Sequence, residues 1–229
     1  MQTCIILAGG LGTRLRSVVA DLPKCLAPVG SRPFLDIQIR QLAAAGVDDV
    51  VLSLGHLAQL VIDSIPLHVE SAVVRHVVEQ QPLGTGGAIA HALKVLGLDE
   101  VVVANGDTYL DGDLGGMLEP LDRASGELLR MAIVEVPDRA RFGGVTLTES
   151  TTVTGFLEKG QAGQGFINAG LYRLCLEALA GAGDGAFSLE TAVLPDLAVR
   201  SHVRACKISG EFIDIGVPED YRRFCEQHG

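Results

Sequence analysis

The chain has no apolar run near the roughly 18 residues that a membrane-spanning helix needs. Its first apolar stretch, Cys4 to Ala8, covers only about five residues and has no basic segment ahead of it, so no secretory leader is expected. Positive charge is also scarce. Eighteen Lys and Arg stand against 28 Asp and Glu, for a net charge of −10. That balance excludes broad binding to nucleic acid or to an anionic membrane, both of which need a basic surface. Paired cysteines are missing too. The five cysteines (Cys4, Cys25, Cys175, Cys206, Cys225) are an odd count with no C-x-x-C spacing. Neither a disulfide framework nor a zinc site is indicated, and reduced thiols in a cytoplasmic protein are expected. The six histidines form no metal-ligand grouping, and there is no repeat, low-complexity tract or long linker.

What remains is ample core material: 229 residues, 48% hydrophobic, with a mean hydropathy of +0.33. One domain over 1–229 is expected. In the first half, strand-like runs at 3–8, 49–54, 69–78 and 100–105 alternate with helical patterns at 33–45, 56–65 and 84–96. Ser31 is the candidate cap of the first helix. This β-α-β order predicts an α/β fold of Rossmann-like type: a mixed, mainly parallel sheet with helices on both faces. The second half changes style. Strands are predicted at 129–136, 144–148, 153–158, 165–174, 202–209 and 212–214. A short helix is predicted at 189–194 after Ser188, and a C-terminal helix at 218–227 with acids in its first turn.

The densest chemistry lies at the N-terminus. The strand ending at Leu7-Ala8 runs into Gly9-Gly10-Leu11-Gly12-Thr13-Arg14, and Lys24 follows ten residues later. Glycines let backbone N–H groups approach a phosphate, whose charge Arg and Lys then meet. The spacing is neither a P-loop nor a dinucleotide fingerprint. A glycine turn after a strand is usually only a tight turn; the Arg14–Lys24 pair makes this one a phosphate grip. Further along, Asn105-Gly106-Asp107 ends the fourth strand, where open α/β sheets bind ligands. There Asp107 would face a phosphate-bound Mg²⁺, which takes one or two carboxylates plus phosphate oxygens. Asp214, in Phe212-Ile213-Asp214-Ile215-Gly216, follows two apolar residues and precedes a turn, and is the candidate for a second carboxylate. Asp111 and Asp113 lie further into the loop, where heading the helix near Leu114 is the blander role. Cys25 beside Lys24 reads as a structural cysteine.

Leu7 to Leu15, followed by Leu22-Pro23-Lys24, resembles the signature of the sugar-1-phosphate nucleotidyltransferases. The resemblance extends over nearly the whole chain. It implies the nucleotide-diphospho-sugar transferase fold, with residues 1–110 mainly for the nucleotide and 111–229 mainly for the sugar phosphate. Glu79-Gln80-Gln81-Pro82-Leu83-Gly84-Thr85-Gly86-Gly87 is similar to the family's segment under base and sugar; the glycines would let a flat ring lie on backbone and open a helix with free N–H groups. The resemblance thus implies nucleotide contacts at Leu7, Ala8, Gly9, Gly10, Gly12, Thr13, Glu79, Pro82, Gly84, Thr85, Asn105 and Gly106. Arg14, Lys24 and Asp107 become catalytic, and Asp107 and Asp214 hold the metal. The segments around Phe142-Gly143-Gly144, Glu158-Lys159 and Ile167-Asn168 resemble the sugar-phosphate site, so Gly144, Glu158, Lys159 and Asn168 would meet the acceptor.

The reaction so implied takes an NTP and a sugar 1-phosphate to an NDP-sugar and pyrophosphate, with Mg²⁺ as cofactor. The Pro-Leu-Gly-Thr-Gly-Gly wording and short length, with no C-terminal β-helix domain expected, look most like the D-glycero-α-D-manno-heptose 1-phosphate guanylyltransferases of bacterial surface-glycan synthesis. GTP is then the favoured nucleotide, with Glu79 available to accept from guanine. Mannose-1-phosphate guanylyltransferases stand next, then a short uridylyltransferase of cell-wall recycling such as one acting on N-acetylmuramate 1-phosphate. A catalytically silent regulatory subunit is the reading of a different class; Arg14, Lys24, Asp107, Lys159 and Asp214 occurring together argues against it. Nucleic acid and membrane are not expected partners, and a homo-oligomer stays open.

Overall fold

The computed structural model describes residues 1–10, 15 and 22–229. In chain order the elements are β1 (Thr3–Leu7), β2 (Pro28–Val29), β3 (Arg32–Pro33), α1 (Phe34–Ala44), β4 (Asp49–Leu54), α2 (Ala58–Ser64), β5 (His68–Val69), β6 (Ala72–Val78), α3 (Gly84–Leu96), β7 (Glu100–Asn105), β8 (Thr108–Leu110), α4 (Gly115–Leu118), β9 (Leu129–Val136), β10 (Gly144–Leu147), β11 (Val153–Leu157), β12 (Gly165–Cys175), α5 (Leu194–Val199), β13 (Val203–Lys207), β14 (Phe212–Asp214) and α6 (Pro218–His228). No helix among them is long and apolar enough to cross a membrane.

The chain divides into two compact units, with one of the four chain boundaries, Val103/Ala104, falling within β7. The first holds Met1–Pro82, Ala104–Asp111 and Glu211–Gly229. Here β1 pairs in parallel with β4, and β4 with β6. All six residues of β4 are buried, so both of its faces are covered, which suits its apolar Val50-Val51-Leu52 stretch and Leu54. The expected strand at 69–78 is two strands. β5 and β6 pair antiparallel about Glu70, whose φ of 51° makes the turn. Ser31 does not cap α1: the capping position is the extended Pro33, and the Phe34 amide donates to Ala27 O at 2.9 Å. A core cluster including Phe34, Tyr109, Ile213, Ile215, Tyr221 and Phe224 joins α1 and α6 to β8 and β14. Phe224 meets Phe34 and Tyr109 edge-on at 5.2 and 5.0 Å, contacts worth about 0.5–1.5 kcal/mol each beyond area burial.

The second unit holds Leu83–Val103 and Gly112–Gly210. β9 pairs antiparallel with β12 and parallel with β13, while β10 and β11 form a hairpin. The capping position of α4 is Leu114, with no side-chain cap, so neither Asp111 nor Asp113 is its cap; Asp113 Oδ1 instead accepts the Gly115 amide at 2.8 Å. Ser188 accepts from the Thr191 amide. The helical segment it opens is longer than expected, because a π-helical turn at Leu189–Val193 runs on into α5.

Candidate functional site

β8 and β14 pair antiparallel with Thr108 opposite Asp214. Asp107 directly precedes Thr108, so this register sets two carboxylates 107 positions apart in sequence side by side. The Ile215 amide donates to Asp107 O at 3.0 Å and ties the two strand ends together. Lys24 completes the group. Its Nζ donates to Asp107 Oδ2 at 2.7 Å and lies 3.7 Å from Asp214 Oδ1. The lysine side chain is 12% exposed, against 34% for Asp107 and 22% for Asp214.

Local structure explains how Lys24 gets there. Pro23 sits extended ahead of a 3₁₀ turn at Lys24–Leu26, whose Cys25 and Leu26 are buried and leave Lys24 the residue turned to the acids. Gly216 makes room for the ammonium: a Cβ on it would lie 2.1 Å from Lys24 Nζ and 2.7 Å from Asp214 Oδ1. Its amide donates to Asp214 Oδ1 at 2.8 Å. Burial pushes the Cys25 thiol up to about 12, and the nearby Asp107 adds to the rise. It is a structural cysteine, not a nucleophile.

The turn that carries Asp107 is held from two sides. A Cβ on Gly106 would lie 2.6 Å from Leu7 O, and the Gly106 amide donates to that same carbonyl at 3.0 Å. Only glycine lets the turn approach the end of β1 so closely. From α1, Gln38 Nε2 donates to Asn105 O at 2.8 Å and Thr108 O at 2.9 Å. Sequence reasoning passed over Gln38. Its signal was a polar residue inside the apolar stripe Phe34, Leu35, Ile39 and Leu42, all of them buried.

At the same end of β1, just past Leu7, a Cβ on Gly9 would lie 3.0 Å from Gly55 N and 3.4 Å from Glu79 Oε1. Ala8 N donates to Ser53 O at 2.9 Å, and Ser53 Oγ reaches Glu79 Oε1 at 3.4 Å. Leu7, Ala8, Gly9 and Glu79 are thus gathered where β1, β4 and β6 end. Gly10 follows, with no atom of the described residues within 4 Å of its Cβ direction, and Pro82 is exposed at the end of this unit's first segment. Gly12, Thr13 and Arg14 lie outside the described residues.

In the second unit, the glycines that open α3 serve a different purpose from the one expected. The Gly86 and Gly87 amides are not free: both donate to Phe187 O, at 3.0 and 3.2 Å. The space over the glycines is filled by chain. Cβ atoms on Gly84, Gly86 and Gly87 would lie 2.6 Å from Phe187 O, 2.3 Å from the Phe187 ring and 2.5 Å from Gly185 O. Thr85 Oγ1 donates to Glu190 Oε2 at 2.6 Å and accepts the Leu189 amide at 2.8 Å. The wording of this motif therefore admits the 185–190 segment against the helix start.

The remaining candidates also lie in this unit. Gly144 pairs with Leu157, which brings it beside the exposed turn of Glu158 and Lys159. A Cβ on Gly144 would lie 2.9 Å from Leu157 Cδ1 and 3.1 Å from Arg139 Cδ. Asn168 sits where the β9–β12 register shifts. Its Nδ2 donates to Tyr172 Oη at 2.7 Å, and its Oδ1 accepts the Gly170 amide at 3.0 Å.

For a metal, the donor set is the test. Among the described residues no cluster of three or more His, Cys, Asp or Glu side chains is gathered. Asp107 and Asp214 are a hard-oxygen pair converging on one cation. That fits a magnesium-type ion that shares its shell with phosphate and water, and not an all-protein cage.

A family model described as nucleotidyl transferase matches residues 3–227, and the chain belongs to that family. It is 36% identical over 221 residues to the D-glycero-alpha-D-manno-heptose 1-phosphate guanylyltransferase of Campylobacter jejuni, covering 96% of this chain and 97% of that one. The Aneurinibacillus thermoaerophilus protein of the same name is also 36% identical, over 96% and 95% of the two chains. The crystal structure of HddC from Yersinia pseudotuberculosis superposes over the full length of both chains with a TM-score of 0.87 and 36% identity. That protein has also been crystallised as a complex with GMP-PN. The fold is accordingly the mixed, mainly parallel sheet with helices of the single-domain nucleotidyltransferases.

Proposed function

We propose that this protein transfers a guanylyl group from GTP to D-glycero-α-D-manno-heptose 1-phosphate, giving GDP-heptose and pyrophosphate. The observation that carries the reading is the cluster of Lys24, Asp107 and Asp214 at the strand ends of the first unit. The choice of base and sugar is supported by near-full-length likeness to two heptose 1-phosphate guanylyltransferases and to HddC.

A sugar phosphate oxygen is already a nucleophile at neutral pH, so the enzyme needs no general base. It has to place that oxygen in line with the α-phosphorus and balance charge as pyrophosphate leaves. Two carboxylates and one ammonium leave the cluster with about one net negative charge, which alone would repel a triphosphate. Asp107 and Asp214 would therefore hold Mg²⁺, which supplies charge neutralisation and alignment of the reacting phosphates when bound. Lys24, whose ammonium lies beside them, would bind the phosphates near the α position. Arg14 would stabilise the leaving pyrophosphate. Leu7 to Gly10, Gly12, Thr13, Asn105 and Gly106 would line the nucleotide, with Pro82. Glu79 would accept from guanine N1–H and N2–H₂. Lys159 would neutralise the acceptor phosphate, while Gly144, Glu158 and Asn168 position the sugar. In this reading residues 1–110 serve mainly the nucleotide and 111–229 mainly the acceptor. The enzyme acts in the cytoplasm, where its five free cysteines stay reduced.

The test follows the label. With α-³²P-GTP, heptose 1-phosphate and Mg²⁺, the label appears in a GDP-sugar of the expected mass, and unlabelled pyrophosphate is released in equal amount. Label released as GMP or free phosphate contradicts the reaction.

A further inference from the structure

We infer that Gln38 is a positioning residue for the reaction centre, a clamp on the turn that aims Asp107. The inference rests on the nucleotidyl-transfer reading of Asp107, while its geometry stands apart from it. Gln38 is on α1, only 3% exposed, on a buried face with Phe34, Leu35, Ile39, Leu42 and Ala43, where the other buried polar residue, Asp36, is paired with Arg40. One amide nitrogen donates both of its protons, to Asn105 O at 2.8 Å and to Thr108 O at 2.9 Å. Those carbonyls are the two ends of the four-residue turn Asn105-Gly106-Asp107-Thr108. A single planar group therefore fixes the span of the turn.

The amide orientation follows from its partners. With oxygen and nitrogen exchanged, an acceptor would face two carbonyl acceptors. In the observed orientation Gln38 Oε1 is buried, with no hydrogen-bond partner among the described residues. An apolar side chain would avoid the cost of that oxygen. The glutamine therefore makes sense through what its nitrogen does. On the turn's other side the Gly106 amide is anchored to Leu7 O. Between these two fixings, Asp107 Oδ2 reaches Lys24 Nζ. Without the clamp the turn keeps its glycine anchor and loses its set width, and the Asp107 carboxylate drifts from Lys24 and Asp214. Small displacements of an aligned group cost rate steeply.

The test uses Gln38→Met, which keeps length and burial and removes both donors. Peptide-level hydrogen exchange over residues 104–110 should quicken by about tenfold or more while the melting temperature stays within a few degrees. The Mg²⁺ concentration for half-maximal pyrophosphate release should rise by about tenfold and kcat should fall by a similar factor, with KM for the sugar phosphate within twofold. Wild-type exchange and wild-type Mg²⁺ dependence overturn the inference. So does a variant that only melts earlier while its folded fraction keeps wild-type constants. If Gln38→Met does not fold, the wild-type side-chain amide decides: slow exchange of both Gln38 Nε2 protons by NMR supports the clamp, and fast exchange overturns it. A wild-type protein that releases no pyrophosphate defeats the functional reading instead, and the exchange data still decide the clamp.

Discussion

Asp107 and Asp214 share the ammonium of Lys24, at 2.7 and 3.7 Å. The pairing of β8 with β14 sets them side by side, and each is partly open to solvent. Asp107→Asn and Asp214→Asn should each lower kcat by about 100-fold or more, the scale of losing a main electrostatic stabiliser. Steady-state pyrophosphate release measures this. Because neither carboxylate is fully buried, melting should move by only a few degrees. Rates like the wild type in both variants would end the two-carboxylate account.

Gly216 offers a finer probe of the same cluster. Its alanine methyl would fall 2.1 Å from Lys24 Nζ, at the flexible tip of a long side chain. The lysine should give way and not the fold. Gly216→Ala is therefore expected to cost about tenfold in kcat/KM through misplacement of the cation. Its destabilisation should stay below about 1 kcal/mol, or a few degrees in Tm at this chain length. Scanning calorimetry and kinetics on the same preparation separate the two effects.

Much of this was legible in the chain itself. The buried strands announce themselves as apolar runs, and the family resemblance names Asp107 and Asp214 together, although no local pattern in the chain pairs β8 with β14. What escaped was long-range. The clamp from Gln38 needs α1 laid against the turn after β7, and no local pattern states that contact; only the oddity of a glutamine in an apolar stripe hints at it. The glycines from Gly84 to Gly87 misled for the same reason. A glycine cluster says that something comes close to the backbone, and it does not say whether that is a ligand or, as here, Phe187 about a hundred residues on. The β5–β6 turn was missed because Glu70 adopts a positive φ with no glycine to signal it.

Cys25 gives a pH prediction. Its thiol is shifted from 9.0 to about 12 in the folded protein, by burial first and by nearby Asp107 in part. Below about pH 9 the thiol is protonated whether folded or not, and it costs nothing. From pH 9 towards 12 the unfolded chain releases the proton and the folded chain holds it, so stability falls as pH rises. The slope from one such thiol reaches about 1.4 kcal/mol per pH unit. Cys25→Ala should flatten the alkaline decline in urea midpoints between pH 9 and 11. An unchanged slope would contradict the burial argument. At pH 8, a thiol reagent should leave Cys25 unmodified until the protein is unfolded, and activity should not depend on it.

The most direct test of the central claim is a grid of kcat/KM values, with GTP, ATP, UTP, CTP and dTTP each set against heptose, mannose, glucose and N-acetylmuramate 1-phosphates. The account predicts the highest value for GTP with D-glycero-α-D-manno-heptose 1-phosphate. It is contradicted if UTP or another nucleotide leads with every sugar, or if no combination releases pyrophosphate.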